Sequence, residues 1–276
     1  MIGFDSAFRC PVCGDSLIKR EKSLYCSRGH CYDYAKSGYV NLLMSQQGRL
    51  HGDDRPMVRA RTAFLSQGYY FPLLECISDA LSGILPNNAR IVDAGCGEGW
   101  YLEELTKRFP ADLNPEIVGI DISKDALSIA ARRPMSAEFA VGSLYHIPLA
   151  DGWANLVLNI FAPDSFEEFS RILTDGGFVL KVIPLEDHLI ELKRAVYDSV
   201  YENEVSVPSP EGVVLRNRTD LRLKIFLKDN AAIQALFAMT PYVRKTSPDD
   251  IAKLNSLASL ETTAAFSLLL YQKTGC

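Results

Sequence analysis

The 276-residue chain contains no apolar run near the roughly 20 residues needed to span a bilayer, so no membrane association is expected. Its first residues, MIGFDSAFRC, have neither the basic start nor the apolar stretch of a secretory leader, and a cytoplasmic location is the expectation. Internal repeats and low-complexity tracts are missing too, which leaves one large domain with a small appendage as the simplest organisation. Positive charge is in deficit: 29 Lys and Arg stand against 34 Asp and Glu, a balance unsuited to coating nucleic acid through bulk electrostatics. Seven cysteines, an odd number in a chain expected to stay reduced, argue against a disulfide framework and for metal binding or plain burial.

What is present is unevenly distributed. Residues 1–61 carry ten Lys or Arg against six Asp or Glu, a local +4, so positive charge gathers at the N-terminal end. Residues 1 to about 40 are short-segmented and rich in Cys and Gly. Asp53-Asp54 before Pro56 makes a helix start, with Gly68 as its stop, and a second helix begins near Pro72 and runs toward Leu85. From Arg90 onward, apolar strands alternate with amphipathic helices, the pattern of a parallel sheet covered on both faces. The strands are read at 90–94, 116–121, 137–141, 154–159 and 177–183, with helices at 100–109, 124–133, 165–173 and 187–200. The Pro-rich stretch 206–212 reads as a surface loop. Strands at 221–227 and 264–271, flanking helices near 230–239 and 249–257, would complete a seven-stranded sheet. The fold class is therefore α/β, doubly wound and Rossmann-like, with a small N-terminal module.

The turn VDAGCGEG at Val92 to Gly99 follows the first of these strands. Gly95, Gly97 and Gly99 let backbone pass close to a ligand, and the next helix aims its N-terminus there. A dinucleotide fingerprint would be G-x-G-x-x-G, but three residues after Gly97 stands Trp100, and the spacing is G-x-G-x-G. That lacks the pyrophosphate cradle and suits S-adenosylmethionine, which has no phosphate. Asp93 fits the cationic amino-acid end of that cofactor through backbone or water contacts. Asp121, about 20 residues beyond the turn with Ile122 after it, is placed to accept from both ribose hydroxyls. Ser143, in Gly142-Ser143-Leu144 after the third strand, is a candidate partner of the adenine.

Near the N-terminus, Cys10 and Cys13 sit in CPVCG, and Cys26 and His30 follow as C-x3-H. Four such ligands suit tetrahedral Zn2+ with no open position, hence a structural site, with Cys31 a rival fourth ligand. So small a segment buries little core, and the metal would hold it folded.

CPVC, GYVNLL at Gly38 to Leu43, RARTAFLSQGYYFPL at Arg59 to Leu73 and DAGCGEGWY together resemble the bacterial 23S ribosomal RNA guanine-N1 methyltransferases, essentially end to end. The resemblance implies a class I methyltransferase sheet with an antiparallel last strand, and a zinc module that helps recognise an RNA hairpin. It implies three regions: a zinc module at 1–40, a basic helical linker at 41–71 and a cofactor domain at 72–276. Tyr70 and His188 would stand beside the cofactor with Gly95, Cys96, Gly97, Glu98, Gly99, Trp100, Tyr101 and Asp121. Arg49, Arg55, Arg59 and Arg61 are the expected phosphate contacts. After the fourth strand, Asn159-Ile160-Phe161-Ala162-Pro163 departs from the Asn/Asp-Pro-Pro-aromatic pattern of exocyclic-amine methyltransferases, which argues against adenine N6 chemistry. Guanine N1 carries a proton that must leave; Asn159, Asp164 and His188 are candidates to assist, and no catalytic residue is assigned. Phe161 is a candidate to stack on a flipped base. Two other classes compete: a methyltransferase of small molecules or proteins with the zinc module as a lid, and a non-enzymatic RNA-binding protein. The oligomeric state stays open, a homodimer included.

Overall fold

The computed structural model describes residues 4–44 and 52–275. Strands β1 (Phe4–Arg9), β2 (Ser16–Arg20), β3 (Ser23–Tyr25) and β4 (Cys31–Asp33) form an antiparallel sheet in that order. The chain then enters a second sheet at β5 (Val40–Asn41). The other members of that sheet are β6 (Arg90–Ala94), β7 (Glu116–Asp121), β8 (Glu138–Val141), β9 (Ala154–Ile160), β10 (Leu173–Pro184), β11 (Val213–Leu227) and β12 (Leu260–Lys273). Their order is β11-β12-β10-β9-β6-β7-β8-β5, and β12 alone runs against its neighbours. All seven expected strands are therefore present with the last one antiparallel, and β5 adds an eighth at the edge.

The central strands are buried along almost their whole length, as parallel strands covered on both faces must be. Their side chains alternate between two cores. Ile91, Ile117, Leu156, Leu158 and Val182 face one core with α1 (Arg55–Leu65), α2 (Phe71–Leu81), α3 (Trp100–Thr106), α6 (Ile190–Val196) and α7 (Asn230–Ala238). Val92, Val118, Ala140 and Val157 face the other, which is closed by α5 (Phe166–Ile172) and by the N-terminal sheet through Phe8, Leu17 and Leu24. The metal-binding module thus covers part of one sheet face. Arg9 N–H donates to Pro148 O at 2.8 Å, and Glu138 on β8 accepts from Ser6 Oγ at 2.7 Å and Ala7 N–H at 3.0 Å.

Local signals place the helix starts. Asp54 caps α1 by accepting from Met57 N–H, Ser123 caps α4 (Lys124–Ala130) through Ala126 N–H, and Ser247 caps α8 (Pro248–Lys253) through Asp250 N–H. The ends fall short of expectation. α3 stops at Thr106, four residues before Pro110, and α6 begins only at Ile190 because Leu189 takes a left-handed conformation, φ 55°. β11 extends eight residues further back than its apolar part, since pairing with the buried β12 carries a largely exposed, charged segment along with it. No helix among the described residues is long and apolar enough to cross a membrane.

Candidate active site and metal centre

A cleft of about 630 Å³ opens where the carboxyl ends of β6, β7, β9 and β10 deliver their loops. Of the thirteen residues read as a cofactor site, Tyr70, Gly95, Cys96, Gly97, Glu98, Gly99, Trp100, Tyr101, Asp121, Ile122, Ser143 and His188 line it. Asp93 does not: it lies beneath the turn, 2% exposed. Burial, and then the charge of Asp121, push its carboxyl up to about 7. Gly95 has φ +88°, and a Cβ there would lie 2.3 Å from that of Ala162 on the opposite wall. Only glycine admits so close an approach between the two loops.

Asp121 receives Gly97 N–H at 2.8 Å on one oxygen and Ser123 N–H at 2.7 Å on the other. Each oxygen keeps a further acceptor position for a ligand hydroxyl. Two polar atoms of the lining are buried without a partner among the described residues, Tyr70 Oη and Glu98 Oε1. Such atoms are costly, and a ligand carrying its own donors and acceptors would satisfy them. Tyr70 is in addition the core aromatic its neighbours suggest, edge-on to Phe64 and Phe266. Glu98 is held by Arg133, which also pairs with Glu103.

His188 lies in the cleft wall rather than at the open surface a helix start suggests, 4.9 Å from the Phe266 ring. Its Nδ1 accepts from Ala265 N–H at 3.2 Å, so the neutral ring carries its proton on Nε2. Burial, and then the Lys193 charge, depress it to about 4, so it is neutral at pH 7. Asn159 is fully buried and its amide is spent on Ala94 O, Pro163 O and Lys181 Nζ. Asp164 pairs with Lys181. Of the three groups considered for the acceptor proton, only His188 lines the cleft, and its Nδ1 lone pair is already engaged. Phe161 also lines it, 42% exposed.

In the N-terminal sheet, one ligand atom each from Cys10, Cys13, Cys26 and His30 lie within 4.8 Å of one another. Cys13 and Cys26 sulfurs are 3.7 Å apart, and His30 Nδ1 is 3.5 Å from Cys10 Sγ and 3.2 Å from Cys26 Sγ. Zn–S bonds of about 2.3 Å and Zn–N of about 2.0 Å arranged as a tetrahedron put neighbouring ligand atoms roughly 3.5–3.8 Å apart, so the donor set fits zinc. The rival Cys31 is exposed and points to Asp33, outside the cluster.

Comparison with known proteins agrees with both halves. Residues 8–49 match the family model described as the N-terminal region of RlmA, and residues 91–177 match a methyltransferase domain. A Bacillus subtilis (strain 168) protein named for 23S rRNA guanine-N1 methylation is 31% identical over 97% of this chain and 98% of its own. The 23S rRNA (guanine(748)-N(1))-methyltransferase of Streptomyces fradiae is 36% identical over 89% of this chain and 88% of its own. The chain belongs to this methyltransferase family. By contrast, a malonyl-[acyl-carrier protein] O-methyltransferase of Enterobacter lignolyticus (strain SCF1), at 31% identity, matches only 43% of the chain. The methyltransferase uses S-adenosylmethionine as donor and carries a zinc ribbon.

Some of the site escapes sequence reasoning. Arg61, expected at a phosphate, instead turns into the cleft, pairing with Asp53 at 2.5 Å and donating to Met239 O. Arg55 pairs with Asp125 on the surface, Arg59 is exposed, and Arg49 lies outside the described residues. Gly52 and Asp53 roof the Ile122 side of the cleft: Ser123 Oγ donates to Asp53 O at 2.6 Å, and Arg244 donates to Gly52 O at 2.8 Å. Arg244 and Tyr242 also line the cleft from beyond α7. No local spacing announces them, because they arrive from elements nearly two hundred residues from the roof they complete.

Proposed function

We propose that this enzyme methylates N1 of a guanine in a hairpin loop of 23S ribosomal RNA, in the cytoplasm. The observation that carries the reading is a single cleft with a glycine turn and Asp121 on one wall and the exposed ring of Phe161 on the other. The zinc ribbon docked on the same sheet, and relatives named for this reaction over nearly their full length, support the RNA substrate.

When bound, S-adenosylmethionine supplies an electrophilic methyl group. Asp121 would hold its ribose, Ser143 its adenine, and the backbone of Gly95 to Gly99 its amino-acid end. Tyr70 Oη and His188 Nε2–H are donors, and Glu98 Oε1 an acceptor, for its polar groups. Asp93 beneath the turn would favour the cation once ionised. Phe161 offers a stacking face to a base taken out of its loop, as chemistry on the pairing edge requires. Asn159, Asp164 and His188 are each tied to protein groups, so no general base for the N1 proton is assigned, and the protein's contribution is alignment of donor and acceptor.

Incubation of the zinc-loaded protein with labelled cofactor and unmodified 23S rRNA tests this. Primer extension is expected to stop one nucleotide before a single methylated guanine. Label found in protein or small metabolites, with RNA unlabelled, would overturn the reading in favour of the small-molecule or protein alternative.

A further inference from the structure

We propose that Lys181 is a positioning residue for the acceptor base, acting through Asn159 and Asp164 on the loop that carries Phe161. The inference rests on the reading of Phe161 as the base platform. Lys181 sits on β10 in register with Asn159 on β9, and is 5% exposed. Its ammonium donates to Asn159 Oδ1 at 2.9 Å and pairs with Asp164 Oδ2 at 2.6 Å.

An ammonium has donors only, so it fixes which way the Asn159 amide faces. The carboxamide oxygen must point at Lys181, and the NH2 group must point the other way. There it gives one hydrogen to Ala94 O at 3.1 Å and the other to Pro163 O at 2.9 Å. Ala94 immediately precedes the donor turn, and Pro163 belongs to the acceptor loop. One amide, oriented by one cation, therefore ties the two reacting sides of the cleft together.

The loop needs such a tie. Phe161 stands at φ 56°, a left-handed conformation unfavourable for an aromatic residue, and holds only where its surroundings over-determine it. Its N–H donates to Val182 O at 3.2 Å, and Ala162 closes against Gly95. Packing alone does not call for a charge at this position: methionine has a similar volume and would avoid desolvating an ammonium.

The test uses the whole 276-residue chain, zinc-loaded, with Lys181→Met and Asp164→Asn, and separately both changes in a Phe161→Trp background. Lys181→Met is expected to lower kcat on a hairpin transcript by about tenfold or more, since small misplacements at the reacting atoms are costly. S-adenosylhomocysteine affinity by calorimetry should stay within about twofold, because the donor turn keeps its own contacts. Taken as the difference from the same variants with Phe at 161, since Trp100 and Trp153 also emit, the indole at position 161 should show faster anisotropy decay. Asp164→Asn should give a smaller loss of the same kind, and Lys181→Arg should restore part of the rate. Unchanged kcat and unchanged anisotropy would overturn the proposal, as would loss of S-adenosylhomocysteine affinity in step with kcat. If Lys181→Met does not fold, Asp164→Asn decides by the same criteria. If the unmodified enzyme transfers nothing to RNA, the substrate reading fails while the anisotropy still reports on the brace.

Discussion

Strands β1 to β4 are at most six residues long and converge on four ligand atoms, whereas β5 to β12 are organised by side chains layered above and below a continuous sheet. The small sheet still contributes Phe8, Leu17 and Leu24 to the core of the large one. The contrast shows two ways to hold a chain. A segment too short to bury a core of its own is fixed from within by a point, and from outside by the face it covers. The large sheet needs no such point, and its cost appears elsewhere, in the charged groups it buries to build a cleft.

The largest effect expected from breaking this contrast is on the metal. Cys13→Ser combined with Cys26→Ser should abolish binding of about one zinc per chain and unfold residues 4–33, since structural zinc is worth on the order of 10 kcal/mol. Hydrogen exchange should show β1 to β4 unprotected while β6, β7 and β9 stay protected. The uncovered sheet face should bind an apolar dye. Protection retained in the metal-free ribbon would make the two regions alike after all.

A smaller effect probes the buried charge. Asp93 titrates natively at about 7, against an ordinary 3.8 in the unfolded chain. As pH rises from 4 to 7 the unfolded state ionises while the native state stays neutral, so stability is lost across that window and the loss is complete above it. Asp93→Asn removes the effect, and its unfolding free energy from urea titration should gain on that of the unmodified protein between pH 4 and 7, by a few kcal/mol at most. A difference that stays flat over this range would show that Asp93 is not desolvated. Smallest is the seam between the regions: Glu138→Ala should cost about 1–2 kcal/mol of docking. Faster exchange in β1 with zinc content unchanged would register it.

The legible parts of this molecule are those whose chemistry depends on neighbours in the chain. The spacing of Cys10, Cys13, Cys26 and His30 suffices to bring four ligands to one ion, and the structure brings them together. Gly95, Gly97 and Gly99 announce a tight turn, and Asp121 ends the next strand beside it. Tyr70 and His188 came only from resemblance to a family, because an aromatic before a helix and a histidine near a helix start carry no signal of their own. The backward extension of β11 was invisible since its exposed residues lack an apolar rhythm, and only the partner strand imposes the conformation.

By itself the sequence determined the order of helices and strands from α1 onward, the clustering of Cys10, Cys13, Cys26 and His30 and the glycine turn at Gly95 to Gly99, for each depends on short-range geometry and on apolar periodicity. Tertiary structure alone decided that the zinc ribbon covers a face of the large sheet, that Arg61 turns inward to Asp53, and that Lys181 orients Asn159 between the two walls of the cleft. These depend on which distant segments meet, and buried hydrogen bonds take their direction from the partners that packing supplies.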